Sequence, residues 1–306
     1  MGWIPSTPPR QDGRVFVVTG GNAGLGYFAG EQLAGTGARV ILASRSRERS
    51  KQAMRAIRSV HPQADVGFTE LDLSSLESVR DAAEELRGES RLDGLVLNAG
   101  MVSGAARRQT TPDANELVFG TNYLGHFALT ALLWPSLVAS PGSRVVGLGS
   151  FVTHMVGLVP DDLQSERRYW FFRAYGFSKH AMQAFSLELA RRIEATGRDV
   201  ASLIAQPGFA VDGLSPARPG VLNPREYPFQ RLLAPIAQGK NRGAAPIVRA
   251  LLDPGARNGE LFAPRDPLTL TGWPVRRIPA PSSAAPAFGE LLWRRSEEWT
   301  GTPFPV

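Results

Sequence analysis

A parallel α/β sheet with helices on both faces is the fold class the sequence predicts. Two observations predict it. Short β-branched apolar runs alternate with helix-period segments from Arg14 to Ala205, which is the rhythm of parallel strands joined by helical crossovers. The chain has 306 residues, 43% of them hydrophobic, enough for one large core. Together with an ordinary 20% charged content, this excludes a disordered chain, a collagen-like chain and a coiled coil.

The elements follow in order. Arg14–Thr19 is a strand that ends in glycines, and Gly24–Gly35 has helical period. Arg39–Ala43 is a buried strand and Glu48–Val60 a polar-faced helix. Val66–Leu71 is strand-like and runs into Asp72; Ser75–Leu86 reads as a helix capped by Ser74. Leu95–Leu97 is a short strand, Asp113–Ala139 holds one or two helices, and Arg144–Leu148 is a strand. A long helix over Ala174–Ala195 precedes the strand Val200–Ala205. Residues 208–230 are rich in Pro and Gly and read as a mobile loop with short helices. Gly243–Leu252 is helical and Glu260–Ala263 a final strand, which makes about seven strands. Prolines make residues 264–286 an extended wrap, and Ala287–Trp299 an amphipathic helix that docks on the body. No repeat or linker divides the chain. The organisation expected is a Pro-rich arm over 1–13, one domain over 14–263 and a C-terminal extension over 264–306 packed on it.

Composition excludes several functions. There is no cysteine, so disulfides, thiolate metal sites and cysteine nucleophiles are absent. The histidines His61, His126, His154 and His180 show no metal-ligand spacing, and no metal is expected. The net charge of +6 comes from arginine spread along the chain, without the basic stripe of a nucleic-acid binder. The longest apolar stretch, Leu124–Ala139, is too short and too interrupted to span a membrane. The first residues lack a signal-peptide core; Gly2 and Ser6 match a loose myristoylation pattern, which Pro5 argues against. A cytoplasmic protein is expected.

Thr19-Gly20-Gly21-Asn22-Ala23-Gly24-Leu25-Gly26 follows the first strand and opens a helix. Glycines let a diphosphate approach the backbone, and the helix N-terminus offers amide N–H groups to it. The second strand ends Leu42-Ala43-Ser44-Arg45, without the acid that bonds an NAD ribose. Arg45 can instead pair with a 2′-phosphate, Ser44 can donate a hydroxyl, and Arg47 or Arg49 can assist. NADP(H) is the cofactor expected. Tyr175-Gly176-Phe177-Ser178-Lys179 places a phenol and an ammonium one turn apart on one helix face. Such a lysine favours phenolate and suits the tyrosine to acid–base work.

The TGxxxGxG spacing resembles the short-chain dehydrogenase/reductase family, and further motifs match it in order. The resemblance implies a single Rossmann-like doubly wound sheet with a substrate loop after the sixth strand. It implies that Gly20, Asn22, Ala23, Gly24, Leu25 and Gly26 cradle the cofactor. Asp72 and Leu73 would contact the adenine, and Asn98-Ala99-Gly100 the ribose. Pro207-Gly208 would meet the nicotinamide. Ser150 would bind the substrate oxygen, and Asn122 would hold a water that links Lys179 to solvent. Hydride would pass between nicotinamide and a carbonyl or carbinol carbon, with Tyr175 exchanging the oxygen proton and Lys179 holding the ribose. The segment Asn122–Phe127, the spacing of Ser150 and Tyr175, and Leu291–Gly301 resemble the retinol dehydrogenase-like branch. That branch also holds WW-domain oxidoreductases and protochlorophyllide reductases. It implies an apolar alcohol, aldehyde or ketone as substrate, and commonly a homodimer or homotetramer through helices that here begin near Asn115 and Ala174.

Two departures are visible. Asp212 stands where the branch has a threonine for the carboxamide, and the missing cysteine argues against protochlorophyllide reduction. A pathway-specific ketoreductase of secondary metabolism and a non-catalytic NADP-binding regulator remain as alternatives. The intact Tyr175 and Lys179 argue against the regulator. Tyr169–Phe172 either walls an apolar pocket or packs the insert, and His154 either faces substrate or supports the site.

Overall fold

A computed structural model describes residues 8–306; Gly2 and Ser6, and most of the Pro-rich arm, lie outside the described residues. The chain runs β1 (Val15–Thr19), α1 (Gly24–Ala34), β2 (Arg39–Ser44), α2 (Arg47–Val60), β3 (Val66–Glu70), α3 (Leu76–Leu86) and β4 (Gly94–Leu97). Then come α4 (Leu117–Phe119), a π-helical turn over Gly120–Leu124, α5 (Gly125–Val138), β5 (Ser143–Leu148), α6 (Phe171–Thr196) and β6 (Val200–Ala205). The remainder is β7 (Ala210–Val211), β8 (Gln238–Gly239), α7 (Lys240–Gly243), α8 (Ala245–Leu252), β9 (Leu261–Pro264), β10 (Pro274–Arg277), α9 (Pro281–Ala284) and α10 (Pro286–Thr300).

The main sheet has eight strands in the order β10-β9-β6-β5-β4-β1-β2-β3. All neighbours pair in parallel except β10, which lies antiparallel on β9. The sequence predicts about seven strands; the eighth sits inside the expected extended wrap. Proline signals misled there, because an edge strand tolerates a proline at its first position, here Pro274. A second, two-stranded sheet pairs β7 with β8.

Alternation along each strand feeds two cores. Val15, Val17, Ile41 and Ala43 face helices α3, α5 and α6, whereas Phe16, Val18, Val40 and Leu42 face α1, α2 and α8. Burial on both sides explains why the strands read as unbroken apolar runs. Helix α5 is buried nearly all round, because α10 packs along it and α6. Trp293 stacks on Phe185, 5.8 Å between centroids, and meets Phe304 at 4.6 Å. The Tyr123 and Ser296 hydroxyls lie 2.6 Å apart.

Local ends differ from expectation. Helix α3 is capped by Ser75, whose hydroxyl accepts from Ser78 N at 3.3 Å. Ser74 instead donates to Asp72 Oδ1 at 2.7 Å. Helix α6 starts at Phe171, because Trp170 is extended; of the aromatic run only Phe171 and Phe172 enter the first turn. No helix among the described residues is long and apolar enough to cross a membrane.

Candidate active site

Strand order reverses at β1, since β2 lies on one side and β4 on the other. Chain connections diverge there and leave a crevice beyond the carboxyl ends of the strands. A cleft of about 490 Å³ opens there. Its walls carry Gly20, Asn22, Ala23, Gly24, Leu25, Ser44, Arg45, Asp72, Leu73, Asn98, Ala99, Gly100, Tyr175 and Lys179. Gly26, Pro207, Gly208, Asn122 and Ser150 are not on its walls.

The glycine turn is shaped for close approach. Gly20 and Gly24 have φ of 65° and 59°, values that favour glycine. Gly26 lies behind the turn, where a side chain would strike Asn98 Nδ2 and the Gly20 carbonyl. The α1 N-terminus has no side-chain cap and no acid in its first turn. Its first amides therefore point outward unclaimed by side chains, as an anion site requires.

At the far end, Arg45 and Arg49 reach the cleft wall. Arg47 does not: it sits 5.1 Å over the Phe68 ring, and 3.9 Å from Glu70. The Ser44 hydroxyl is 2.8 Å from that of Ser50, so it is already partnered. Thr121 lines the cleft, and its buried hydroxyl has no partner among the described residues. A glycine cradle, an uncapped helix, two arginines and an orphan hydroxyl fit a phosphorylated dinucleotide.

Asn122 lies in the π-helical turn, a feature common at functional sites. Its side chain accepts from Met101 N at 2.7 Å, donates to Met101 O at 2.9 Å and to the Ser178 hydroxyl at 3.0 Å. It thus ties the loop after β4 to α6. Its carbonyl meets His126 Nδ1 at 2.9 Å, and His126 Nε2 lies 2.9 Å from the Thr19 hydroxyl. Thr19 Oγ1 in turn accepts from Asn98 N and Ala99 N at 2.9 and 3.0 Å. Burial lowers His126 to about 4, so the ring is neutral at pH 7. A carbonyl only accepts, so Nδ1 carries the proton and the unprotonated Nε2 faces the Thr19 hydroxyl, whose one proton is also within reach of the Val96 carbonyl at 3.0 Å. One buried ring therefore joins the glycine-turn strand to the Asn122 carbonyl. Its i, i+4 spacing from Asn122 was the available signal; within an apolar run it reads as core.

A depressed histidine stabilises above its unfolded value and loses that contribution as pH falls through the folded one. Between about pH 6.5 and 4 the protein should lose roughly 3 kcal/mol through His126. Urea midpoints at pH 7 and 4.5 should fall less for His126→Gln than for the unchanged protein. An equal fall would assign acid sensitivity elsewhere.

Lys179 is buried, and its Nζ donates to the Leu148 carbonyl at 2.9 Å. Burial lowers its value to about 8. Nζ lies 5.8 Å from the centre of the Tyr175 ring. Burial raises the Tyr175 phenol, and a hydrogen bond with the Ser150 hydroxyl partly offsets this. The lowering expected from Lys179 is not found: burial raises the phenol with only the Ser150 hydroxyl opposing it, and the ammonium bonds the Leu148 carbonyl instead. Ser150 ends the β5 loop and opens the helical turn Phe151–His154.

Asp212 follows β7 and pairs with Lys240, Oδ2 to Nζ 2.7 Å. Lys240 lines the cleft and was missed, because two-residue strands leave no sequence pattern. Gly208 holds φ of 69° beneath the Leu270 carbonyl. His180 turns from the site: its ring nitrogens meet Ser283 and the Val156 carbonyl, each at 2.7 Å. Asp162 accepts from Glu166 N and Arg167 N at 2.8 and 3.1 Å and so holds a turn ahead of α6.

The short chain dehydrogenase family model matches residues 14–214. The chain is 41% identical over 210 residues to polyprenol dehydrogenase of Mus musculus, covering 67% of this chain and 62% of that relative. It is 38% identical over 216 residues to retinol dehydrogenase 12 of the same organism, covering 70% and 67%. The chain therefore spans somewhat under or about two thirds of these relatives. The structure of an uncharacterised protein from Mycobacterium paratuberculosis covers 100% of both chains with a TM-score of 0.80 and 31% identity. The NADP complex of Pseudomonas aeruginosa RhlG shares the fold, with a TM-score of 0.61 at 23% identity over 82% of this chain and 94% of that one.

Proposed function

Because this chain belongs to the short-chain dehydrogenase family, we propose that it is an NADP(H)-dependent oxidoreductase interconverting an apolar alcohol with its aldehyde or ketone. The observation that carries this reading is one cleft shared by the glycine turn, Arg45, Tyr175 and Lys179. When bound, the dinucleotide supplies or takes the hydride. Gly20, Asn22, Ala23, Gly24 and Leu25 would receive its diphosphate, with Gly26 closing the turn. Arg45 and Arg49 would hold the adenosine phosphate end, beside Ser44, Asp72 and Leu73. Asn98, Ala99 and Gly100 would flank the ribose, and Pro207 and Gly208 would back the nicotinamide.

Tyr175 keeps its proton at neutral pH, because burial raises the phenol. In carbonyl reduction it would donate that proton to the substrate oxygen, with the Ser150 hydroxyl orienting the same oxygen. Lys179 would hold the ribose, and Asn122 would fix the turn that faces both. Met101 and Val102 on the cleft wall, and the exposed Met155, Trp170 and Phe171 of the chain segments that follow Ser150 and precede Tyr175, offer an apolar approach. The names of the polyprenol and retinol dehydrogenases agree with that chemistry. The α5 and α6 surfaces expected to pair two subunits lie under α10, so we read the chain as a monomer.

Fluorescence titration with NADPH and NADH tests the cofactor. NADPH should bind roughly 10- to 100-fold tighter, and Arg45→Ala should remove most of that preference. Equal affinities in the unchanged protein would sink the 2′-phosphate assignment.

A further inference from the structure

Lys240 and Asp212 are placed side by side by strand register. Ala210 pairs with Gln238 and Val211 with Gly239, so the next residues along the two strands are Asp212 and Lys240. The pair is stapled further. Lys240 N donates to the Ser215 hydroxyl at 2.8 Å, and that hydroxyl donates to the Val211 carbonyl at 2.8 Å. Gln32, on α1, donates to the Asn241 carbonyl at 2.9 Å. Helix α7 is thereby fixed against α1, and the ammonium stands over the glycine turn. A methyl-sized group built on Gly24 would meet Lys240 Nζ first, at 3.4 Å.

The other cations on the cleft wall are elsewhere. Arg45 follows β2, Arg49 lies in the first turn of α2, and Lys179 stands beside Tyr175. Among the described residues, Lys240 is the one cleft-lining cation against the glycine turn. The amides of α1 point to the same place, and a helix N-terminus with a nearby ammonium favours a dianion more than either alone.

We propose that Lys240 is a diphosphate-binding residue of the dinucleotide site and that Asp212 is its built-in counter-ion. This rests on the cofactor reading above. Asp212 holds the ammonium over Gly24 and at the same time competes with the diphosphate for it. The aspartate at the usual threonine position is thus committed to Lys240, not to a carboxamide.

The test measures dissociation constants of NADPH, NADH and 2′-AMP, which carries a 2′-phosphate and no diphosphate. Melting of the cofactor-free protein controls for folding. Lys240→Met should weaken NADPH and NADH by the same factor, roughly 10- to 100-fold, because it removes a cation and leaves Asp212 facing the diphosphate. Binding of 2′-AMP should stay within about threefold. In an Asp212→Asn background the same change should cost less. Unchanged NADPH binding in Lys240→Met, loss of NADPH alone, or an equal loss of 2′-AMP would each overturn the proposal. Asp212→Asn leaves Lys240 in place and keeps the test open should Lys240→Met not fold. Dinucleotide binding should hold or tighten in it, and a fall beyond about tenfold would assign Asp212 itself to the ligand and overturn the proposal. Failure of the unchanged protein to bind either dinucleotide would instead reject the cofactor reading.

Discussion

Tyr175→Phe should lower carbonyl reduction by at least roughly 10³-fold while NADPH binding stays within about threefold. The substitution removes one oxygen and its proton and keeps the ring. Gly176 packs against Val156, and Lys179 keeps its bond to the Leu148 carbonyl, so the fold should persist. What is lost is the phenol that shares the cleft with the glycine turn and hydrogen-bonds Ser150. In the unchanged protein, reduction should hold on the acid side and fall as pH rises through about 8, where buried Lys179 gives up its proton and the positive charge beside Tyr175 is lost. A panel of apolar aldehydes and ketones, read by NADPH consumption, checks both. Retained turnover in the phenylalanine variant would move the acid role to another group.

Trp293→Ala should cost about 3–5 kcal/mol, read as a lowered urea midpoint. The indole is 3% exposed. It stacks on Phe185, packs on Phe127 at 5.4 Å and Phe304 at 4.6 Å, and carries the Arg192 guanidinium 4.2 Å above it. Removing it opens a cavity between α10 and the α5–α6 surface. Light scattering should find the unchanged protein monomeric, because α10 already covers that surface. A stable dimer in the unchanged protein would mean that the subunits pair elsewhere. A change under about 1 kcal/mol in Trp293→Ala would show the tail helix to be marginal.

The chain's own order of residues determined most of the sheet and most of the cleft. Buried parallel strands demand continuous apolar runs, and a tight dinucleotide turn demands glycines, so both leave local marks. The same holds for Tyr175 and Lys179, which one helix turn brings together. Tertiary structure decided the rest. Ser44 was legible as a hydroxyl, but only the fold pairs it with Ser50; Arg47 was legible as a cation, but only the fold turns it to Phe68 and Glu70. Edge strand β10 hid among prolines because an edge needs no N–H at its first residue. His126 carried no role in the sequence; the fold buries it and makes it a link between Thr19 and Asn122. Asp212 and Lys240 lie 28 residues apart and meet through two-residue strands too short to show any period. Periodicity and motif spacing record what one segment does to itself; partners from distant segments are set by packing, which leaves no local record.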